Sequence, residues 1–208
     1  MSQPDRSQPA ATQPNHFETE VKLRPASLDD ALIRIAAAGF QVHTPRALET
    51  NTLLDSADGG LRAAGQILRL REFAGVAFVT FKGPALKENG GGKHKVREEI
   101  ETTVQSASSM RLLMSRLGFE PAFRYEKYRT VYVRPAEAGL LTVDETPIGP
   151  FLELEGDPAW IDNAAALLGY TPGAYITESY GQIWNRHCIA RGLPPRDFVF
   201  VTDAPDKR

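Results

Sequence analysis

Residues 17–23 alternate with a period of two: Glu18, Glu20 and Lys22 fall on one side, Phe17, Thr19, Val21 and Leu23 on the other. That period is the signature of an extended strand. The same alternation of ionic and apolar positions returns along the chain. At 67–72, Arg69 and Arg71 oppose Leu68 and Leu70. The segment 77–83 carries Lys82 near its end. At 95–101, Lys95, Arg97, Glu99 and Glu101 share a side. At 125–133, Lys127 and Arg129 oppose Tyr128 and Tyr132. The segment 140–145 carries Asp144, and at 151–156 Glu153 and Glu155 oppose Leu152 and Leu154. With a further strand at 48–55, the pattern predicts eight strands.

Between them lie helical spacings. Ser27 is an N-cap with Asp29 and Asp30 in the first turn, and Leu28, Ala31, Leu32, Ile35 and Ala36 keep one face up to Gly39. A second helix is predicted over 106–117 and closes at Gly118. A third starts at Asp157-Pro158, an N-cap followed by proline at the first helical position, and runs to 168. A fourth covers 179–190. Ser56 to Gly60 reads as a turn, and Gly90-Gly91-Gly92 as a flexible hairpin loop that lacks the spacing of a phosphate-binding P-loop. Strands with a few helices define an α+β domain.

Two arrangements of such strands compete. An ordinary sheet would turn its apolar faces to a core and leave the charges in water. The alternative closes the sheet into a barrel of about eight strands, with charges inside and apolar faces outside under the helices. The amphipathic helices need a surface to cover, and acids and bases mix in near balance on the ionic side. Both features favour the eight-stranded antiparallel closed β-barrel.

Composition narrows the function. A net charge of −2 over 208 residues gives no basic surface for nucleic acid. No apolar run approaches the ~18 residues of a membrane span. The single Cys188 excludes an internal disulfide and a multi-cysteine zinc site, and a cytoplasmic location is expected. Residues 1–15, rich in Ser, Gln and Pro, read as a disordered tail; 16–190 as one domain; 191–208 as an irregular extension.

Charges enclosed in a barrel cost several kcal/mol each unless they satisfy one another or a ligand. Arginine and lysine suit a polyanion, because a guanidinium grips phosphate oxygens in pairs. Clustered carboxylates suit a hard divalent cation. Together they imply a metal–polyphosphate complex.

The residues also resemble a known family. Glu18-x-Glu20-x-Lys22 is similar to the ExExK signature of the CYTH domain, the triphosphate tunnel metalloenzyme superfamily. The similarity continues in order through Leu68-Arg69-Leu70-Arg71, Thr80-Phe81-Lys82-Gly83-Pro84, Arg97-Glu98-Glu99-Ile100-Glu101, Glu126-Lys127-Tyr128-Arg129, Val143-Asp144-Glu145 and Phe151-Leu152-Glu153-Leu154-Glu155. The stretch 117–129 looks most like bacterial class IV adenylyl cyclases. The resemblance implies that Glu18, Glu20, Asp144, Glu153 and Glu155 hold Mg²⁺ or Mn²⁺. It implies that Arg69, Arg71, Lys82, Arg97, Lys127 and Arg129 grip the triphosphate, with Lys22, Arg69, Arg71 and Lys82 in the catalytic set. Lys22 is either a general base or a phosphate contact. Lys95, Glu99 and Glu101 are further candidates, as ligands or as groups that orient the basic residues, and Tyr180 matches a family position that packing would equally explain.

The activity expected is metal-dependent hydrolysis of a linear triphosphate: tripolyphosphate, a nucleoside triphosphate such as ATP, or thiamine triphosphate. The alternative is a class IV adenylyl cyclase that makes cyclic AMP and pyrophosphate from ATP. A non-catalytic polyphosphate or nucleotide sensor would keep the basic residues but need not keep the full set of carboxylates, which is intact here. The expected partner is a small-molecule triphosphate, with no nucleic acid and no membrane, bound by a monomer or homodimer.

Overall fold

The alternating segments become strands of one antiparallel sheet that closes on itself. The computed structural model describes residues 17–86, 93–194 and 196–201. The strands are β1 (Phe17–Leu23), β2 (Gln41–Ser56), β3 (Ile67–Phe73), β4 (Val76–Lys82), β5 (Lys95–Val104), β6 (Phe119–Val133), β7 (Leu140–Thr146) and β8 (Gly149–Glu155). Their order around the barrel is β1-β5-β4-β3-β2-β6-β7-β8, and β8 returns to β1. The tail at 1–15 and the loop Gly90–Gly92 lie outside the described residues.

Two strands are longer than the pattern predicts. β2 begins at Gln41 rather than 48, and β6 at Phe119 rather than 125. Each added part contains a proline, which cannot donate to a ladder and is tolerated at a bulge. The β2–β6 register slips between Thr44 and Ala47, around Pro45, and between Leu53 and Leu54, whose partners Phe123 and Pro121 leave Ala122 extra.

The helices are α1 (Leu28–Ala37), α2 (Gly60–Ala63), α3 (Ala107–Arg116), α4 (Pro158–Leu167) and α5 (Tyr180–Arg191). α2, a single helical turn, follows the turn read at Ser56–Gly60 and is not predicted by the sequence pattern. The expected caps form. Ser27 Oγ accepts from the Asp30 amide at 3.1 Å, and Asp157 Oδ1 from the Ala159 amide at 2.9 Å.

The main apolar core lies outside the barrel wall. Val21 and Leu23 of β1, Leu141 and Val143 of β7, and Leu152 and Leu154 of β8 turn outward. They pack against Ala31 and Ile35 of α1 and Ile161, Ala164 and Ala165 of α4. The alanines let both helices sit close to the sheet. α3 departs from the expected covering role: it buries none of its own residues, and Leu112 and Leu113 stay at least half exposed.

A second cluster stoppers the barrel. Tyr180 and Ile183 of α5 meet Tyr125, Phe151 and Phe198. Phe198 belongs to the extension expected to be irregular. Past the end of α5 its described residues form no helix or strand, yet Phe198 is fully buried and stacks on Trp184 with centroids 4.8 Å apart. Its backbone fills a gap. β7 pairs with β6 only from Tyr128 onward, so the earlier part of β6 has a free edge. The Phe198 amide donates to Arg124 O at 2.8 Å, and its carbonyl accepts from the Glu126 amide at 2.9 Å. Ile176 does the same for β1, exchanging two bonds with Lys22 of 2.9 and 2.8 Å.

Candidate functional site

Inside the barrel is a cavity of about 930 Å³. Its wall carries eight basic side chains, Lys22, Arg69, Arg71, Lys82, Lys95, Arg97, Lys127 and Arg129. It also carries six carboxylates, Glu18, Glu20, Glu99, Glu101, Glu153 and Glu155. Strand alternation puts them there. Apart from Lys82, alone on β4, each is two residues from the next on its own strand, and the register sets Glu20 beside both Lys95 and Glu155, and Lys22 beside Glu153.

At one pole the acids crowd. Glu18 Oε2 lies 2.6 Å from Lys82 Nζ, which also reaches Glu99 at 2.9 Å. Glu20 pairs with Lys95 and with Lys22, the latter at 3.1 Å. Lys22 Nζ stands 3.5 Å from Glu153, which also takes Arg129 Nη2 at 3.0 Å. Burial, with Glu20 beside it, pushes the Glu18 carboxyl up to about 6. Burial and the Glu20 carboxylate push Glu153 up to about 7, against the pull of Lys22 and Arg129. Burial, then Glu18 and Glu153, push Glu155 up to about 8. Lys22 goes the other way from a buried lysine: burial disfavours its charge, but Glu153 and Glu20 outweigh it and raise its pKa.

The other pole is basic. Arg69 donates to Tyr125 Oη and Thr80 Oγ1, both at 3.3 Å, and pairs with Glu101 at 3.3 Å. Arg71 reaches Glu101 at 2.7 Å, and its guanidinium lies 4.5 Å from the Phe78 ring. Lys127 and Arg129 are both held by Asp144: Arg129 grips its two oxygens at 2.7 Å each, and Lys127 lies at 2.9 Å. Arg97 faces the cavity, but backbone carbonyls hold its guanidinium, Gly83 O at 3.1 Å and Gly65 O at 3.3 Å.

Fourteen of the fifteen charged residues singled out in the sequence, and Tyr180, line this one cavity. The exception is Asp144, which stands behind Lys127 and Arg129 and is not part of the cavity surface. It is fully buried, and Tyr180 Oη donates to it at 2.6 Å. Burial would raise its pKa, but Arg129 and Lys127 hold it far below the usual range. Tyr180 is therefore part of the charged network as well as of the stopper, with Lys22 and Lys127 over its ring at 5.2 and 4.8 Å.

Glu49, Asn51, Thr80, Tyr125 and Thr142 belong to the same interior and were not singled out. Thr80 could have been found two positions before Lys82. Glu49 and Asn51 could not: they share a side of β2 with Leu53, while the opposite side mixes Thr50 and Thr52 with leucines, so neither side stands out.

Oxygen is the only donor type among these acids, which fits a hard divalent cation. The mutual crowding of Glu18, Glu20, Glu153 and Glu155 is the kind of strain such a cation relieves. Among the described residues, no three Asp, Glu, His or Cys side chains already stand in a metal-holding cluster. Lysine ammonium groups lie among the carboxylates instead.

The closed barrel is ionic inside and carries its main apolar core on the outside of the wall. The chain belongs to the CYTH domain family, whose pattern matches residues 16–167. A protein of Methanocaldococcus jannaschii named "putative adenylate cyclase" is 29% identical over 140 residues, 67% of this chain and 76% of that protein. Among solved structures, a "putative adenylate cyclase" from Vibrio parahaemolyticus superposes with a TM-score of 0.70 at 21% identity, covering 82% of this chain and 98% of that one. A Hippeastrum protein described as a "putative adenylyl cyclase" with a dominant triphosphatase activity superposes with a TM-score of 0.60 at 18% identity, covering 86% and 97%. At these identities the structural likeness is one of fold. No helix among the described residues is long and apolar enough to cross a membrane.

Proposed function

We propose that the protein is a divalent-metal-dependent hydrolase of a linear triphosphate. The observation that carries this reading is the cavity of about 930 Å³ that gathers eight basic and six acidic side chains. A chain of phosphates with a bound cation satisfies that arrangement.

The basic pole would take the phosphates. Arg69, Arg71, Lys127 and Arg129 are already aimed by partners behind or beside them, so little reorganisation is needed when phosphate oxygens arrive. Arg129, whose Nε and Nη2 hold Asp144 and Glu153, keeps Nη1 for a phosphoryl oxygen. Lys82 and Lys95 stand among the acids, paired with Glu18, Glu99 and Glu20, and balance their charge. Lys22 is held as an ammonium by Glu153 and Glu20, which favours its role as a phosphate contact over proton abstraction.

Glu18, Glu20, Glu153 and Glu155 would hold Mg²⁺ or Mn²⁺. Asp144, with its oxygens taken by Arg129, Lys127 and Tyr180, serves the basic wall in this reading. A bound cation would neutralise phosphate charge and lower the pKa of a nucleophilic water. Water attack on the terminal phosphorus would then release phosphate.

A second reading is cyclisation of ATP. The name of the M. jannaschii relative points to it. So does the wall itself, where Phe73, Phe78, Val131 and Leu140 leave apolar room for an organic substituent on the triphosphate. Both readings use the same ionic residues. Purified protein with Mg²⁺ or Mn²⁺ and tripolyphosphate, ATP or thiamine triphosphate, with and without EDTA, separates them. Phosphate release that EDTA abolishes is expected. Cyclic AMP with pyrophosphate would replace the first reading by the second. Absence of both turnover and binding would overturn both.

A further inference from the structure

Glu49, like Asp144, is a fully buried charged group beside the site. It sits on β2 with no exposed surface, behind the basic wall rather than on the cavity surface. Three of the cations that face the cavity converge on it from the front: Lys127 at 3.3 Å, Arg71 at 3.7 Å and Arg129 at 3.7 Å. From its own strand Asn51 Nδ2 donates to Oε1 at 2.9 Å, whereas Oε2 accepts no hydrogen bond. Each of the three cations has another carboxylate at shorter range, Glu101 for Arg71 and Asp144 for Lys127 and Arg129. Glu49 is therefore not needed to aim any one of them. What it supplies is a negative charge shared among all three.

We propose that Glu49 is a positioning counter-charge that limits how tightly the basic wall holds phosphate, so that the product can leave. The inference rests on the reading of the cavity as a triphosphate site. A carboxylate fixed a few ångströms behind three phosphate-facing cations partly offsets their attraction for an incoming polyanion. In a site screened from water that offset is large enough to matter. It also keeps the ligand-free wall from carrying uncompensated positive charge. Removing the charge while keeping the shape should give a wall that is less stable when empty and more retentive when filled.

The test is Glu49→Gln, with tripolyphosphate as probe and calorimetry as readout. The variant is expected to bind tripolyphosphate roughly tenfold or more tightly than the unaltered protein. It should melt at a lower temperature alone and gain more on adding tripolyphosphate. KM and kcat should both fall, because release slows. Glu49→Asp, which keeps the charge, should stay within about threefold of the original affinity. A Glu49→Gln protein that is unfolded alone but folds with tripolyphosphate supports the same conclusion. Equal or weaker binding by Glu49→Gln overturns it, as does a variant that stays unfolded with tripolyphosphate present. If the unaltered protein does not bind tripolyphosphate, the triphosphate reading itself fails and this inference goes with it.

Discussion

Replacing Glu153 by Gln should make the metal-free protein more stable while removing its activity. Glu153 is 8% exposed and lies against Glu20. Burial and that neighbour raise its pKa from 4.5 to about 7. A carboxyl whose pKa is higher folded than unfolded binds more protons in the folded state. Its ionisation therefore opposes folding: stability is fully present below pH 4.5 and is lost as pH rises through about 7. At about 1.4 kcal/mol per pKa unit, the loss reaches about 3 kcal/mol by pH 8. Glutamine keeps the volume and cannot ionise. Lys22 and Arg129 pull that pKa down, so their attraction for the ionised carboxylate is already included in the difference. The measurement is urea unfolding in EDTA at pH 5 and pH 8. The variant-minus-original stability should grow by about 2–3 kcal/mol between the two. Mn²⁺ with tripolyphosphate should erase the advantage, and turnover should be absent. Parallel pH dependences for the two proteins would refute the crowding argument; full activity would remove Glu153 from the site.

Arg69→Ala should weaken tripolyphosphate binding by about 1.5–3 kcal/mol, the scale of a hydrogen bond to a charged group, and unchanged calorimetric affinity would place Arg69 outside the ligand's reach. Phe198→Ala should cost about 3–5 kcal/mol in denaturant unfolding, because a fully buried ring that stacks on Trp184 leaves a cavity; a loss under 1 kcal/mol would mean the extension is not docked. The β3–β4 hairpin turns through Ala74 and Gly75 with φ of 50° and 80°, a left-handed pair that favours Asn-Gly. Ala74→Asn should therefore raise stability by about 0.5–1 kcal/mol, and a lower melting temperature would count against that turn geometry.

The parts of the fold that could be read ahead are those in which one physical rule acts alone. In β1 and β8, ionic and apolar residues alternate without interruption, so strand, face and partner followed from period two. In β2 and β6, prolines broke the pattern, and the bulges that accommodate Pro45 and Pro121 depend on the facing strand rather than on local sequence. The site followed the same division. Residues whose neighbours on the strand contrast with them in polarity were visible. Glu49 was hidden by a strand of mixed character on both sides. The place of Asp144 behind the wall could not be read, because it is set by Arg129, Lys127 and Tyr180, which arrive from β6 and α5. The docking of residues 196–200 was equally invisible: it answers a free edge that exists only once β7 has stopped short of the start of β6.

Along β8 every step of one residue crosses the wall. Leu152 and Leu154 help to hold the molecule together, while Glu153 and Glu155 face the lumen. A misalignment by a single residue against β1 or β7 would press carboxylates onto α1 and α4 and fill the interior with leucine. Such a chain could neither pack nor bind. Assembly thus proofreads the chemistry: any molecule stable enough to persist has, by the same pairing, its charges facing inward.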